Sequence, residues 1–234
     1  MRVIKSVIRS AISKAVREAI AAAQRYFLTF DPVLNSYAEL DTAFQPSGDF
    51  EIEAVVSTTA TTGTLTILSG SAQSNNAVIL DVQSTGTVRL FAYVGGSLQT
   101  IITSTATVND GQLHIITATY TGTTAELFIG GASEGTATWA LDGNQDIKYA
   151  GQRVGAGNYF DGYIADVKLT DLTTAANSRI FPLAVGAGTT ENSTINSGSI
   201  TINNIPEANR ELFTFDEANN QWVANDGSPT IGVA

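Results

Sequence analysis

From Tyr26 onward, apolar and polar positions alternate with period two in short stretches punctuated by Gly, Asn, Asp and Ser. The alternation predicts strands at Tyr26–Phe30, Phe50–Thr58, Gly63–Ser69, Ala77–Val82, Thr87–Val94, Leu98–Ser104, Gln112–Thr119, Ala125–Ile129, Lys148–Gln152 and Gly162–Leu169. Turn residues separate them, among them Ser47-Gly48-Asp49, Gly95-Gly96 and Asn109-Asp110-Gly111. Leu113–Tyr120 and Ala125–Gly131 read as a hairpin closed at Thr121-Gly122-Thr123-Thr124. Many short strands with no helix between them predict a mostly β fold, a two-sheet antiparallel sandwich or jelly roll.

Before Tyr26 the period changes. Ile4, Ile8, Ile12, Val16 and Ile20 recur every fourth residue, with Val3, Val7, Ala11, Ala15 and Ala19 on the adjoining ridge. Neither Gly nor Pro interrupts Arg2–Gln24, so the pattern predicts an N-terminal amphipathic α-helix of roughly 35 Å. Strict fourfold spacing winds the apolar stripe around the helix and favours a short crossing bundle over a long coiled coil. Charges every three to five positions argue against a transmembrane span and against a secretory signal. An organellar transit peptide and a helix lying on anionic membrane remain open, alongside the favoured reading: docking into a partner or bundling of copies, a trimer among them, through Ile4, Ile8, Ile12, Val16 and Ile20.

After Asp171 the alternation weakens. Thr173–Arg179 reads as one helical turn and Ser199–Asn203 as a strand. Arg210-Glu-Leu-Phe-Thr-Phe-Asp216, followed by Asn220 and Trp222, echoes Arg25-Tyr-Phe-Leu-Thr-Phe-Asp31, followed by Asn35 and Tyr37. The echo implies equivalent strand-and-turn roles, neighbouring subunits being one possible partner. A tail carrying Phe213, Phe215 and Trp222 is expected to pack on the sandwich or on a partner. The chain thus divides into a helical anchor (1–25), a sandwich (26–171) and a β-rich extension (172–234).

Composition sharpens this division. The 234 residues include no Cys, one His and one Met, and carry a net charge of −10. The absence of Cys excludes disulfides, thiolate chemistry and Cys-based metal centres, and a solitary His114 excludes a His-pair metal site. Six of the twelve basic residues fall in the first 25 against one acid, Glu18, so a +5 head precedes a −15 body. Such a body is a poor nucleic-acid binder.

Four segments carry candidate chemistry. Asp49, Glu51 and Glu53 alternate on one strand face, the spacing of paired-carboxylate hydrolysis or simply of a solvated outer face. His114 lies in a core-like strand with no Gly-x-Ser-x-Gly nucleophile turn to serve. Asp142, Asn144 and Asp146 alternate like calcium ligands, but Ile147 and Arg153 break the EF-hand continuation, leaving a non-EF calcium loop or a polar turn. Trp139, Tyr149, Tyr159 and Tyr93 offer rings for stacking on a sugar, or for packing at a rim or core.

Gly48-Asp49-Phe50-Glu51-Ile52, Asp110-Gly111-Gln112-Leu113-His114, Leu127-Phe128-Ile129-Gly130-Gly131 and Phe160-Asp161-Gly162-Tyr163-Ile164-Ala165-Asp166-Val167 follow one another in the order of the laminin-G-like, concanavalin A-like jelly-roll family, which residues 26–171 resemble. Leu113 stands where that family usually has Trp, and Gly130 where it usually has Asn. The resemblance implies two curved antiparallel sheets, a structural role for His114, binding of sugars or proteins, and often calcium. Laminarinase-type glycosidases share the fold with Glu-x-Asp followed closely by Glu. Here the order is Asp-x-Glu-x-Glu, so nucleophile and helper would be exchanged.

The expectation is therefore a non-enzymatic display module: a helical anchor presenting a jelly-roll head that binds surface glycans or decorates. Its organisation resembles the accessory surface proteins of tailed bacteriophages, namely head decoration proteins, head fibres and tail fibres. A Cys-free chain suits a particle assembled in a reducing cytoplasm and then exposed at a virion surface. A laminarinase-type glycosidase and a membrane-surface module are the alternatives.

Overall fold

In a computed structural model, residues 25–183, 188–206, 210–216, 219, 221–224 and 230–232 are described. The segment expected to form an N-terminal helix, with Ile4, Ile8, Ile12, Val16 and Ile20, lies outside them. The described chain forms antiparallel sheets packed as a sandwich. One sheet runs, in spatial order, Ala132–Thr138, Thr124–Ile129, His114–Thr121, Phe50–Ser57, Gly162–Asp171, Arg25–Phe30, Arg210–Asp216, Gln221–Ala224 and Thr230–Gly232, with Arg179–Phe181 added beside Gly162–Asp171. The second runs Thr190–Asn192, Ser199–Asn203, Tyr37–Phe44, Ile147–Ala150, Thr64–Ser69, Val78–Gln83, Thr87–Val94 and Ser97–Leu98, with Ile102–Thr107 beside Thr87–Val94. A two-stranded hairpin, Gln152–Arg153 with Asn158–Tyr159, stands apart. Among the described residues the only helix is the 3-10 turn Ala175–Asn177, inside the expected Thr173–Arg179 turn.

Alternation in the sequence becomes two faces in the fold. Phe50, Ile52, Ala54 and Val56 turn inward against residues such as Leu40, Leu80 and Leu90 of the second sheet. Each fully buried side chain of this kind contributes about 1.5–3 kcal/mol. Gly162 of the closing motif is required sterically: at φ +133°, a Cβ would meet the Ser57 carbonyl oxygen at 2.2 Å.

Three features depart from the pattern. Tyr37–Phe44 and Ala132–Thr138 are strands that the alternation did not mark. The expected strand Leu98–Ser104 is broken into Ser97–Leu98 and Ile102–Thr107, because the Thr100 carbonyl is taken by the Trp139 indole and Gln99 turns its side chain to the Ala140 amide. The two echoed segments pair with each other, Arg25 opposite Phe213 and Leu28 opposite Arg210, within one chain rather than across subunits.

Beyond that pairing the first sheet curls back over its own outer face. Trp222, Ala224 and Ile231 pack against Phe27, Ala165 and Leu113, and the Leu113 amide donates to the Gly232 carbonyl at 2.7 Å. This third layer roofs an apolar patch on the outside of the sandwich. The Trp222 and Phe27 rings meet edge-on, 5.3 Å between centroids.

Candidate functional site

The outer face of the second sheet is crossed instead by the short hairpin of Gln152–Arg153 and Asn158–Tyr159. In Tyr37–Phe44, Ala38, Leu40 and Phe44 point to the core, which leaves Tyr37 and Glu39 outward. Tyr149 is in register with Glu39 on one side and Ser69 on the other, and its ring lies 6.0 Å from that of Tyr37 at 70°. The register slips between Ile147 and Tyr149, which lets Lys148 also reach Glu39, at 3.4 Å, and donate to the Leu40 and Asp41 carbonyls. Burial, with the Glu39 charge and then Tyr159 beside it, pushes the Tyr37 phenol above its ordinary pKa. Burial, Glu39 and Tyr37 do the same to Tyr149. Both hydroxyls therefore stay protonated, as donors, well above neutral pH. The result is a half-buried aromatic platform bordered by an acid–base pair.

The hairpin crosses this face over Thr64–Ser69, held by the Ser69 hydroxyl on the Gln152 carbonyl at 2.6 Å. On its far side, Ala77, Ile79 and Phe91 form a small apolar patch with Tyr93. There the fully buried Asp81 receives two hydrogen bonds from Arg89, at 2.9 and 2.7 Å. The Arg89 and Arg153 guanidinium groups lie 5.3 and 5.5 Å from the Phe91 ring centre.

The sequence profile of the concanavalin A-like lectin/glucanases superfamily matches residues 34–177, more than half of the chain. The chain belongs to that superfamily. No curated protein matches it. Among solved structures, a Bacteroides ovatus protein described as carbohydrate-binding aligns with TM-score 0.57 and 16% identity over 78% of this chain, which spans 59% of that protein's length. A heptameric SAP-like pentraxin from Limulus polyphemus aligns with TM-score 0.52 and 15% identity over 89% of this chain and 95% of its own. The enzymatically active domain of bacteriophage CBA120 tailspike protein 2 aligns with TM-score 0.46 and 14% identity over 65% of this chain and 28% of its own, a likeness too loose to carry an argument. At these identities the neighbours speak to fold alone.

In this lectin/glucanase fold the other candidate residues are dispersed. Trp139, expected among the stacking rings, is 1% exposed: it stacks on Tyr120 and gives its indole hydrogen to the Thr100 carbonyl at 2.7 Å, so it is a core residue and no ligand platform. Tyr149 and Tyr159 do share a neighbourhood, since both lie beside Tyr37. Tyr93 lies beyond the hairpin, its hydroxyl 3.4 Å from Arg153. Glu51 and Glu53 project from the outer face of the first sheet, where Lys168 lies 3.2 Å from Glu51, and Asp49 accepts the Gly122 amide at 2.8 Å. His114 contacts Asp110 at 2.8 Å, while the Ser57 hydroxyl in the neighbouring strand donates to the Gly111 carbonyl instead of to the ring.

The calcium candidates Asp142 and Asp146 take part in separate hydrogen-bonded turns. Asp142 accepts the Asn144 amide and the Gln145 side chain, both within its own turn. Asp146 accepts the amide and hydroxyl of Ser71, tying down a different loop. Among the described residues no group of three or more His, Asp or Glu side chains forms a metal-holding cluster.

Proposed function

We propose that the chain is a non-catalytic glycan-binding display protein whose ligand lies along the outer face of the second sheet. The observation that carries this reading is the half-buried Tyr37–Tyr149 platform, set against a first sheet whose outer apolar patch is covered by the chain's own C-terminal strands. Aromatic faces take the C–H side of a sugar ring, and phenols, carboxylate and ammonium at the border take its hydroxyls. The superfamily membership supports it, since lectins belong to this fold. Support for binding without cleavage comes from the acids: Glu51 and Glu53 lie on the opposite side of the sandwich from the platform.

The basic head anchors this face, to copies of itself or to a larger assembly, and a virion surface is the setting that fits a +5 head on a −15 Cys-free body. Binding of the full chain to a glycan array tests the ligand class, with Tyr149→Ala expected to abolish the signal. Retained binding in that variant removes the platform from the reading. Co-purification with virus particles, and loss of oligomeric mass on deleting residues 1–24, test the anchor. Release of reducing sugar from common β-glucans would overturn the non-catalytic reading.

A further inference from the structure

The outer face of the second sheet also carries a cation, Arg153, that has no carboxylate partner among the described residues. Among the side chains described, Arg89 is paired with Asp81, Lys148 with Glu39, Lys168 with Glu51 and Arg179 with Asp41. Arg210 is buried and gives one nitrogen to the Ile205 carbonyl. Arg153 has no carboxylate. Its Nε and Nη2 donate to the Gln73 carbonyl at 3.1 and 2.8 Å, Nη2 also reaches the Tyr93 hydroxyl at 3.4 Å, and the group lies 5.5 and 5.8 Å from the Phe91 and Tyr93 ring centres. A neutral carbonyl and ring faces fix a guanidinium in place without cancelling its charge. Nη1 is left without a hydrogen-bond partner among the described residues.

Position gives that charge a meaning. Arg153 and Tyr159 belong to the same hairpin, as neighbouring rungs of its ladder. From Tyr37 to Tyr93 the face crosses Tyr37–Phe44, Ile147–Ala150, Thr64–Ser69, Val78–Gln83 and Thr87–Val94, which is four strand spacings or roughly 19 Å, with the hairpin over Thr64–Ser69 between the two ends. Glu39, at the tyrosine end, is paired with Lys148 and, with Asp146, makes that end the acidic one, while Arg153 stands at the other end beside Tyr93.

We infer that this face selects anionic saccharides, with Arg153 Nη1 binding a carboxylate or sulfate oxygen of the sugar that lies beside Tyr93. The inference rests on the glycan reading above and names its ligand class. With Nε and Nη2 already occupied, the guanidinium offers one edge and not a two-point fork, so it recognises negative charge more than the geometry of one particular acid.

The test is an array of neutral glycans printed beside their uronate-, sialate- and sulfate-bearing counterparts, probed with the full chain, Arg153→Gln, Arg153→Lys and Tyr149→Ala. The wild type is expected to bind anionic members at least tenfold better than their neutral parents. Arg153→Gln is expected to lose that preference while keeping the neutral affinity, and Tyr149→Ala to lose both. Arg153→Lys, which keeps the charge and a donor for Gln73, is expected to retain the preference and serves as the reference if the Gln variant melts early. Equal wild-type binding of neutral and anionic partners, or a preference that survives Arg153→Gln, overturns this inference and leaves the glycan reading standing. A wild type that binds nothing on the array overturns both.

Discussion

Glu134, on the edge strand of the first sheet, accepts hydrogen bonds from the amide and hydroxyl of Thr105 on the edge of the second, both at 2.8 Å, and from the next amide, Ala106, at 3.0 Å. One carboxylate oxygen thus closes an open side of the sandwich. The Ala106 amide, then the Thr105 hydroxyl, hold its pKa below the ordinary glutamate value. A depressed carboxyl contributes stability above its unfolded value and loses it as pH falls. Glu134→Gln is expected to cost about 1–3 kcal/mol in denaturant unfolding at neutral pH and less in acid. Equal loss at both pH values would show that charge is not what joins the edges.

Asp171 does similar service at the end of the long closing strand. Burial alone would raise its pKa, but the Ser47 and Thr174 amides, the Asn177 side chain and the Ser47 hydroxyl bring it down to about 2. Its stabilisation is present above the unfolded value of about 3.9 and fades as pH drops from there toward 2. Asp171→Asn is expected to lower the melting temperature at pH 7 and to remove much of the wild type's acid sensitivity between pH 4 and 2, read by circular dichroism melts across that range.

Trp222→Ala is expected to cost about 3–5 kcal/mol if the ring's burial against Phe27 holds the third layer down. Dye binding to newly exposed apolar surface should rise in the same variant. A fall of under 1 kcal/mol would mean that the C-terminal strands rest on the sandwich without stabilising it.

Trp139 and Tyr149 offer a paired contrast. Trp139→Ala is expected to destabilise by several kcal/mol, because it empties a buried site and orphans the Thr100 carbonyl. Tyr149→Ala is expected to leave the melt within a few degrees and to act on glycan binding. Thermal melts and array binding on both variants separate the two roles, and a reversal would move the site.

The sandwich was legible because its inward residues alternate strongly: Phe50, Ile52, Ala54 and Val56 announce a strand on their own. Tyr37–Phe44 was hidden, since its inward positions begin with the weakly apolar Ala38 and it follows a turn at Asp31-Pro32. That omission concealed Tyr37 and Glu39, the half of the platform that gives Tyr149 its partner. The period-two signal was present in Ala38-Glu39-Leu40, but three residues do not outweigh a turn. The choice for Trp139 between stacking on a sugar and packing in the core was open for a related reason. An aromatic ring near a polar turn looks available in sequence, while its burial depends on Tyr120 and Thr100, both distant along the chain. Arg153 entered only as a residue that breaks a calcium motif, because cation–ring geometry has no sequence period.

The neighbours of Arg25–Phe30 are Gly162–Asp171 and Arg210–Asp216, and those of Tyr37–Phe44 are Ile147–Ala150 and Ser199–Asn203. During synthesis, then, Arg25–Phe30 and Tyr37–Phe44 are made well before the strands they pair with. Closing such long loops is slow, and unpaired edges carrying Phe27, Leu28 and Phe30 invite association between nascent chains in the interval. The pairing of Arg25–Phe30 with Arg210–Asp216 therefore sets the vulnerable period of folding, which lasts until that distant strand is made.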